Sequence, residues 1–144
     1  IVAAGPSESI QDLVANGIAG ARVVQLQVAG AFHTPFMQEA VDALADFAST
    51  LSVQDPRIAL WSNKDGRLVK SGSEALELLV GQVANPVRWD LCMSAMQAAG
   101  VDRLVELAPG GALAGLAKRG MAGTEVVALK TRENLEAAKT LLSN

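Results

Sequence analysis

The strongest constraint in this sequence is a change of period at Thr34-Pro35. Before it, Val24, Leu26 and Val28 alternate with Gln25 and Gln27, the pattern of a strand with one wet face. After it, Phe36, Met37, Ala40, Val41, Leu44, Phe47, Ala48 and Leu51 recur at spacings of three and four, the pattern of an amphipathic helix. Thr34 suits a helix N-cap and Pro35 the first helical position. At the joint sits His33, the only histidine among 144 residues. A helix start disfavours a protonated imidazole nearby, and a neutral imidazole on a strand-to-helix corner suits a general base. A lone histidine is more often structural, so position alone puts that reading ahead of a catalytic base.

Similar changes of period run along the rest of the chain. Residues 1–5 read as a strand, Gly5-Pro6-Ser7 as a turn, and Ile10, Leu13, Val14 and Ile18 as a helical stripe closed by Gly17 and Gly20. The helix from Thr34 to Leu51 is followed by a strand at 57–62. The turn Asn63-Lys64-Asp65-Gly66 returns through Arg67-Leu68-Val69. Ser71-Gly72-Ser73-Glu74 fits a capping box, opening a helix to about Val83 that Pro86 breaks. A helix from about Val87 to Ala99 turns Trp89, Cys92, Met93 and Met96 inward. Residues 101–108 read as a buried strand, and Pro109-Gly110-Gly111 leads into a short helix ending at Lys118-Arg119-Gly120. A last strand at 125–130 precedes a helix capped by Thr131, with Leu135, Ala138, Leu141 and Leu142 on one stripe. Strands alternating with helices imply parallel pairing and an α/β architecture. The one boundary the pattern offers lies near Ala29-Gly30. No repeat and no low-complexity tract interrupts it.

Composition narrows the function. Half the residues are hydrophobic, 19% are charged and the net charge is -3, which describes a globular chain with a sizeable core. Neither that charge nor the scarcity of aromatics favours nucleic acid. No apolar run approaches a membrane span. Cys92 is the only cysteine, so an internal disulfide and a Cys/His metal site are both excluded by count, as fits a reducing cytoplasm. The chain opens on Ile1-Val2-Ala3-Ala4-Gly5, a strand pattern under way with no initiator Met, and reads as one whose upstream part lies elsewhere.

A base needs a nucleophile, and none is evident. No Gly-x-Ser-x-Gly elbow occurs, and Ser7, Ser71 and Ser73 read as turns or caps. Cys92 falls among apolar residues and reads as an inert core thiol. Gln82 and Asn85 bracket a helix end whose free carbonyls could accept a hydrogen bond from an imidazole, although simple helix termination explains them too. Pro109-Gly110-Gly111 with Gly115 lacks both the dinucleotide-loop spacing and the Walker Lys-Ser/Thr, and so reads as tight packing. Asp42, Asp46, Asp90, Glu106 and Glu133 fall mostly on polar faces, with no glycosidase-like pairing.

Four ordered stretches together carry a family resemblance. Val28-Ala29-Gly30-Ala31-Phe32-His33-Thr34-Pro35-Phe36-Met37 resembles the catalytic-histidine segment of malonyl-CoA:acyl carrier protein transacylases, and of the acyltransferase domains of fatty acid and polyketide synthases. Leu60-Trp61-Ser62-Asn63-Lys64-Asp65-Gly66, Gln82-Val83-Ala84-Asn85-Pro86-Val87-Arg88-Trp89 and Glu106-Leu107-Ala108-Pro109-Gly110-Gly111-Ala112-Leu113-Ala114-Gly115-Leu116 agree in order and spacing. The likeness is nearest to the discrete bacterial enzymes.

The resemblance implies malonyl transfer from coenzyme A to the phosphopantetheine thiol of acyl carrier protein, in fatty acid biosynthesis, through an acyl-serine and without a cofactor or metal. It implies that His33 exchanges protons with that serine and that the Gln82 main-chain carbonyl orients the imidazole. Phe32 would fill the space an α-methyl needs, as in malonyl-selective members with an Ala-Phe-His triplet; core packing is the other reading. The implied fold places 1–28 in the second half of a ferredoxin-like small subdomain and 29–144 in the C-terminal part of an α/β-hydrolase-like large subdomain. The serine elbow, the oxyanion hole and the arginine for the malonyl carboxylate have no match here. The expected partners are therefore malonyl-CoA, acyl carrier protein and the N-terminal part of the same enzyme. A non-catalytic carrier-binding or scaffold module, or a polyketide-synthase acyltransferase domain, is the alternative.

Overall fold

The computed structural model describes residues 1–28 and 30–143, so the expected boundary at Ala29-Gly30 falls partly outside the described residues. The chain divides into two compact units, one formed by Ile1–Lys64 with Leu68–Val87, the other by Asp65–Arg67 with the chain from Arg88 onward.

The first unit is helical. Helix α1 spans Ser7–Asn16, α2 spans Gln38–Ala48 after a 3-10 turn at Pro35–Met37, and α3 spans Gly72–Gln82. The break between turn and α2 corrects the single helix expected from Thr34. The Thr34 hydroxyl does not cap it; it donates to Ala31 O at 2.7 Å. Helix α3 starts as expected, with Ser71 Oγ accepting from Glu74 N–H at 3.2 Å. Its reciprocal partner differs, because Glu74 Oε2 takes the Lys70 N–H at 2.7 Å. Asp55 Oδ1 takes the Gly72 N–H at 2.9 Å, satisfying another donor of the first turn.

Three expected strands of this unit make no ladder. Residues 1–5, 24–28 and 57–62 form no strand, and β pairing among the described residues of this unit amounts to isolated antiparallel bridges, Ile18 with Ala21 and Trp61 with Leu68. Period-two alternation marks a segment that fits a pleated surface, but a strand exists only where a neighbour supplies its hydrogen bonds. Ile1, Val2, Val24, Leu26 and Val28 are accordingly exposed. The stripe of α2 departs from expectation for a related reason. Ala48 is buried against the unit, whereas Phe36, Leu44, Phe47 and Leu51 are exposed.

The second unit is a closed α/β motif. Helix α4 spans Trp89–Ala98; strand β1 (Arg103–Glu106), helix α5 (Ala112–Gly120) and strand β2 (Glu125–Ala128) form a parallel βαβ crossover; α6 spans Asn134–Ser143. The register pairs Arg103 with Glu125 and Glu106 with Ala128. Both strands are shorter than their apolar runs, because pairing stops where the partner strand does. Cys92, Ala114, Ala117, Met121, Ala138 and Leu141 make the core, small residues on α5 and α6 letting helices approach closely. Burial pushes the Cys92 thiol up, as befits an inert core sulfur. The expected turn at 63–66 forms, and Gly66, at φ 75°, has no room for a side chain: a Cβ would meet the Leu91 main chain at 2.6 Å. The last helix begins at Asn134 rather than just after Thr131. The Asn134 Oδ1 gathers the N–H groups of Lys130 and Thr131 at 3.1 Å each.

Glu106 corrects the expectation of an exposed carboxylate. It is buried at the end of β1, where its oxygens accept the N–H groups of Gly111 (2.6 Å), Leu113 (2.9 Å) and Ala114 (2.9 Å) at the start of α5. The Ala114 bond, then those of Gly111 and Leu113, hold its carboxyl below the usual range against the opposing effect of burial, and Lys130 adds to them. The glycine loop is thereby filled by an internal anion. No described helix is long and apolar enough to cross a membrane.

Candidate active site

His33 occupies the bend between 24–28 and α2 with φ 65°, in the left-handed region. That conformation costs a non-glycine residue about 1–3 kcal/mol and persists only where its surroundings hold it. Two hydrogen bonds hold it here, both to the end of α3. The His33 N–H donates to Val83 O at 2.9 Å, and ring Nδ1 lies 2.8 Å from Gln82 O.

Those carbonyls are available because of Asn85-Pro86. In a continuing helix the N–H of residue 86 would bond to the carbonyl of residue 82. Proline has no N–H, so the Gln82 carbonyl is left open. The Asn85 N–H reaches it only at 3.3 Å, and the imidazole takes the better position. The sequence thus creates a vacant acceptor at a helix end and supplies the ring that fills it.

That pairing fixes the tautomer. A carbonyl oxygen can only accept, so Nδ1 carries the hydrogen and donates it to Gln82 O. In the neutral ring Nε2 then keeps its lone pair, and it is the nitrogen able to receive a proton. What orients the imidazole is the carbonyl end of α3, not the helix mouth at Pro35 that drew attention to it. The structure therefore brings His33 and Gln82 together through a main-chain atom.

Phe32 stands beside them. Its ring centroid is 6.4 Å from that of His33, tilted by 58°, and it is 51% exposed, so it is not a core residue. The ring folds back over Gly30, where a Cβ would lie 3.4 Å from it and 3.7 Å from Met37 Sδ. Phe32 thus lies beside the imidazole and next to Gly30. Among the described residues no three His, Cys, Asp or Glu side chains converge as a metal site would require. A hollow of about 500 Å³ in the second unit is lined by Trp89, Leu104, Leu107 and Leu113, and by Glu106, whose carboxylate is already committed to α5.

No protein-family profile matches the chain. Individual relatives do. Over 136 residues it is 43% identical to the malonyl CoA-acyl carrier protein transacylase of Mycobacterium tuberculosis, covering 94% of this chain and 45% of that protein. The crystal structure of MCAT from Mycobacterium tuberculosis superposes with a TM-score of 0.85 at 41% identity, over 92% of this chain and 44% of the other. A solved holo complex of a type II PKS acyl-carrier protein with its malonyl-transacylase matches with a TM-score of 0.79 at 29% identity, over 94% of this chain and 43% of the other. Fold and likeness together define an α/β chain of transacylase type. It belongs to the malonyl-CoA:acyl carrier protein transacylase family, and it spans a little under half the length of the curated relative it matches.

Proposed function

We propose that this chain supplies the proton-transfer half of a malonyl-CoA:acyl carrier protein transacylase acting in cytoplasmic fatty acid biosynthesis. The nucleophilic serine would lie on the part of the enzyme that these 144 residues do not include. The observation that carries the reading is the Nδ1–H donated by His33 to Gln82 O, which leaves Nε2 free. In the first half-reaction Nε2 takes the serine hydroxyl proton as the oxygen attacks the malonyl thioester, then returns it to the departing coenzyme A thiolate. In the second it takes the proton of the phosphopantetheine thiol and gives it to the serine oxygen released by acyl transfer. Splitting one transfer through an acyl-serine gives two easier steps. Gln82 acts through its carbonyl, in the place an aspartate holds in a Ser-His-Asp triad.

Phe32, beside the ring, sets acyl selectivity by occupying the volume an α-methyl would need. On this reading residues 1–28 complete a ferredoxin-like small subdomain and 29–144 the C-terminal part of the large one. The remainder of the enzyme covers the apolar residues now exposed on 1–28 and α2. The acyl-carrier complex among the structural neighbours supports a carrier protein as acceptor.

Co-expression with the complementary N-terminal half of the Mycobacterium tuberculosis relative tests this. The pair should transfer labelled malonyl from malonyl-CoA to holo-acyl carrier protein, and the 144-residue chain alone should not. Malonyl transfer by the chain alone contradicts the assignment.

A further inference from the structure

We propose that Asn85 is a positioning residue for His33, acting through the end of α3. The proposal rests on reading His33 as the base. Three successive carbonyls leave that helix end, and each has its own donor. Gly81 O receives Asn85 Nδ2 at 2.7 Å, Gln82 O receives the imidazole at 2.8 Å, and Val83 O receives the His33 N–H at 2.9 Å. The Asn85 side chain stands in for the weakened backbone bond of its own position, one turn below the helix stop.

A second link closes the loop. Gln82 Nε2 donates to Asn85 O at 2.7 Å and to Pro86 O at 3.0 Å. Gln82 therefore holds the main chain of Asn85, while Asn85 holds the peptide just before Gln82. Open space lies where a Cβ on Gly81 would sit, and the other donor to Gly81 O outside the regular helix is the Ala84 N–H, at a longer 3.3 Å. The shorter Asn85 bond at 2.7 Å works with the end of the helix to set the plane of that peptide, and with it the direction of the next carbonyl, the one that accepts from the imidazole. Asn85 touches neither the ring nor a reacting atom; it aims the acceptor.

The site also suits substitution. Gly81, Gln82 and Asn85 line a hollow of about 150 Å³ with Lys64, Glu77 and Leu78, so water can reach Gly81 O when the carboxamide is removed. Water satisfies that oxygen without fixing its direction.

The single histidine makes the test direct, because every imidazole signal of the full chain belongs to His33. Long-range proton–nitrogen NMR on ring-labelled chain reads the ratio of the Nδ1–H to the Nε2–H form. Asn85→Ala should lower that ratio by about threefold or more with helical content unchanged. Asn85→Asp, which keeps the shape but puts an acceptor against an acceptor, should lower it as far or further, and it carries the test should the alanine variant fail to fold. Asn85→Ser, with a hydroxyl donor, should recover part of it. In the complemented enzyme Asn85→Ala should lower kcat about tenfold with KM for malonyl-CoA unchanged. A wild-type ratio in both the folded Ala and Asp variants overturns the role of Asn85. Turnover that survives His33→Ala overturns the reading beneath it, so the two failures are told apart.

Discussion

Two corners of this chain lead into a helix, and they dispose of their polar groups in opposite ways. At 106–114 a carboxylate at the end of β1 turns back and takes three N–H groups of the helix that follows, leaving neither side of the pairing open. At 32–38 one imidazole nitrogen is bound to a carbonyl from another helix, and the other nitrogen is left without a fixed role. The first corner is closed and the second is half open. The closed corner sits in glycine-rich sequence of the kind that invites comparison with phosphate loops; the open one needs a strained backbone at φ 65° to hold its ring. Glycine richness is thus the poorer guide to chemistry, and a solvent-facing imidazole held by one nitrogen the better one.

If the contrast is sound, the two corners separate under mutation. In the complemented enzyme His33→Ala should lower kcat by about 10³-fold, while loss of the ring's single hydrogen bond costs the fold only about 1 kcal/mol. Glu106→Gln should do the reverse, lowering the denaturant midpoint more than Glu136→Gln at an exposed carboxylate of α6, with activity per folded molecule retained. An activity loss confined to Glu106→Gln would erase the contrast.

Acid sharpens it. The Glu106 carboxyl lies below its ordinary range in the folded chain. Its contribution to stability is therefore complete above the unfolded value of about 4.3 and is lost as pH falls through the lower folded value. Wild type and Glu106→Gln should differ in thermal midpoint at neutral pH and converge once the pH has fallen through the lowered folded value. A difference that persists unchanged in acid removes the carboxylate from the explanation. The smallest effect belongs to the rim of the open corner. Phe32→Ser should raise methylmalonyl-CoA use relative to malonyl-CoA about tenfold, the scale of one methyl group in a pocket; an unchanged ratio makes Phe32 a bystander.

The open corner was more legible in sequence than the closed one. A change of period, a sole histidine and Thr34-Pro35 are local signals, and Gln82 with Asn85-Pro86 announces a helix that ends with carbonyls to spare. What no local signal gave was the union of the two across 49 positions, nor the left-handed φ that the union requires. Glu106 is harder to read, because a carboxylate in a strand pattern implies a wet face. Its place five residues before Gly111 was the available clue, since a strand end, a tight turn and a helix start bring those positions together. The strands at 1–5, 24–28 and 57–62 failed for a different reason. Alternation specifies which face is apolar, but the neighbour that turns such a segment into a strand is specified by other residues.

The central claim is that His33 gives its Nδ1 hydrogen to the end of α3 and keeps Nε2 as the base. Ring-labelled wild-type chain, held where the imidazole is neutral, tests it in one long-range proton–nitrogen spectrum. A dominant Nδ1–H form, with Nε2 at the shift of an unprotonated nitrogen, is the result expected. A dominant Nε2–H form would contradict it.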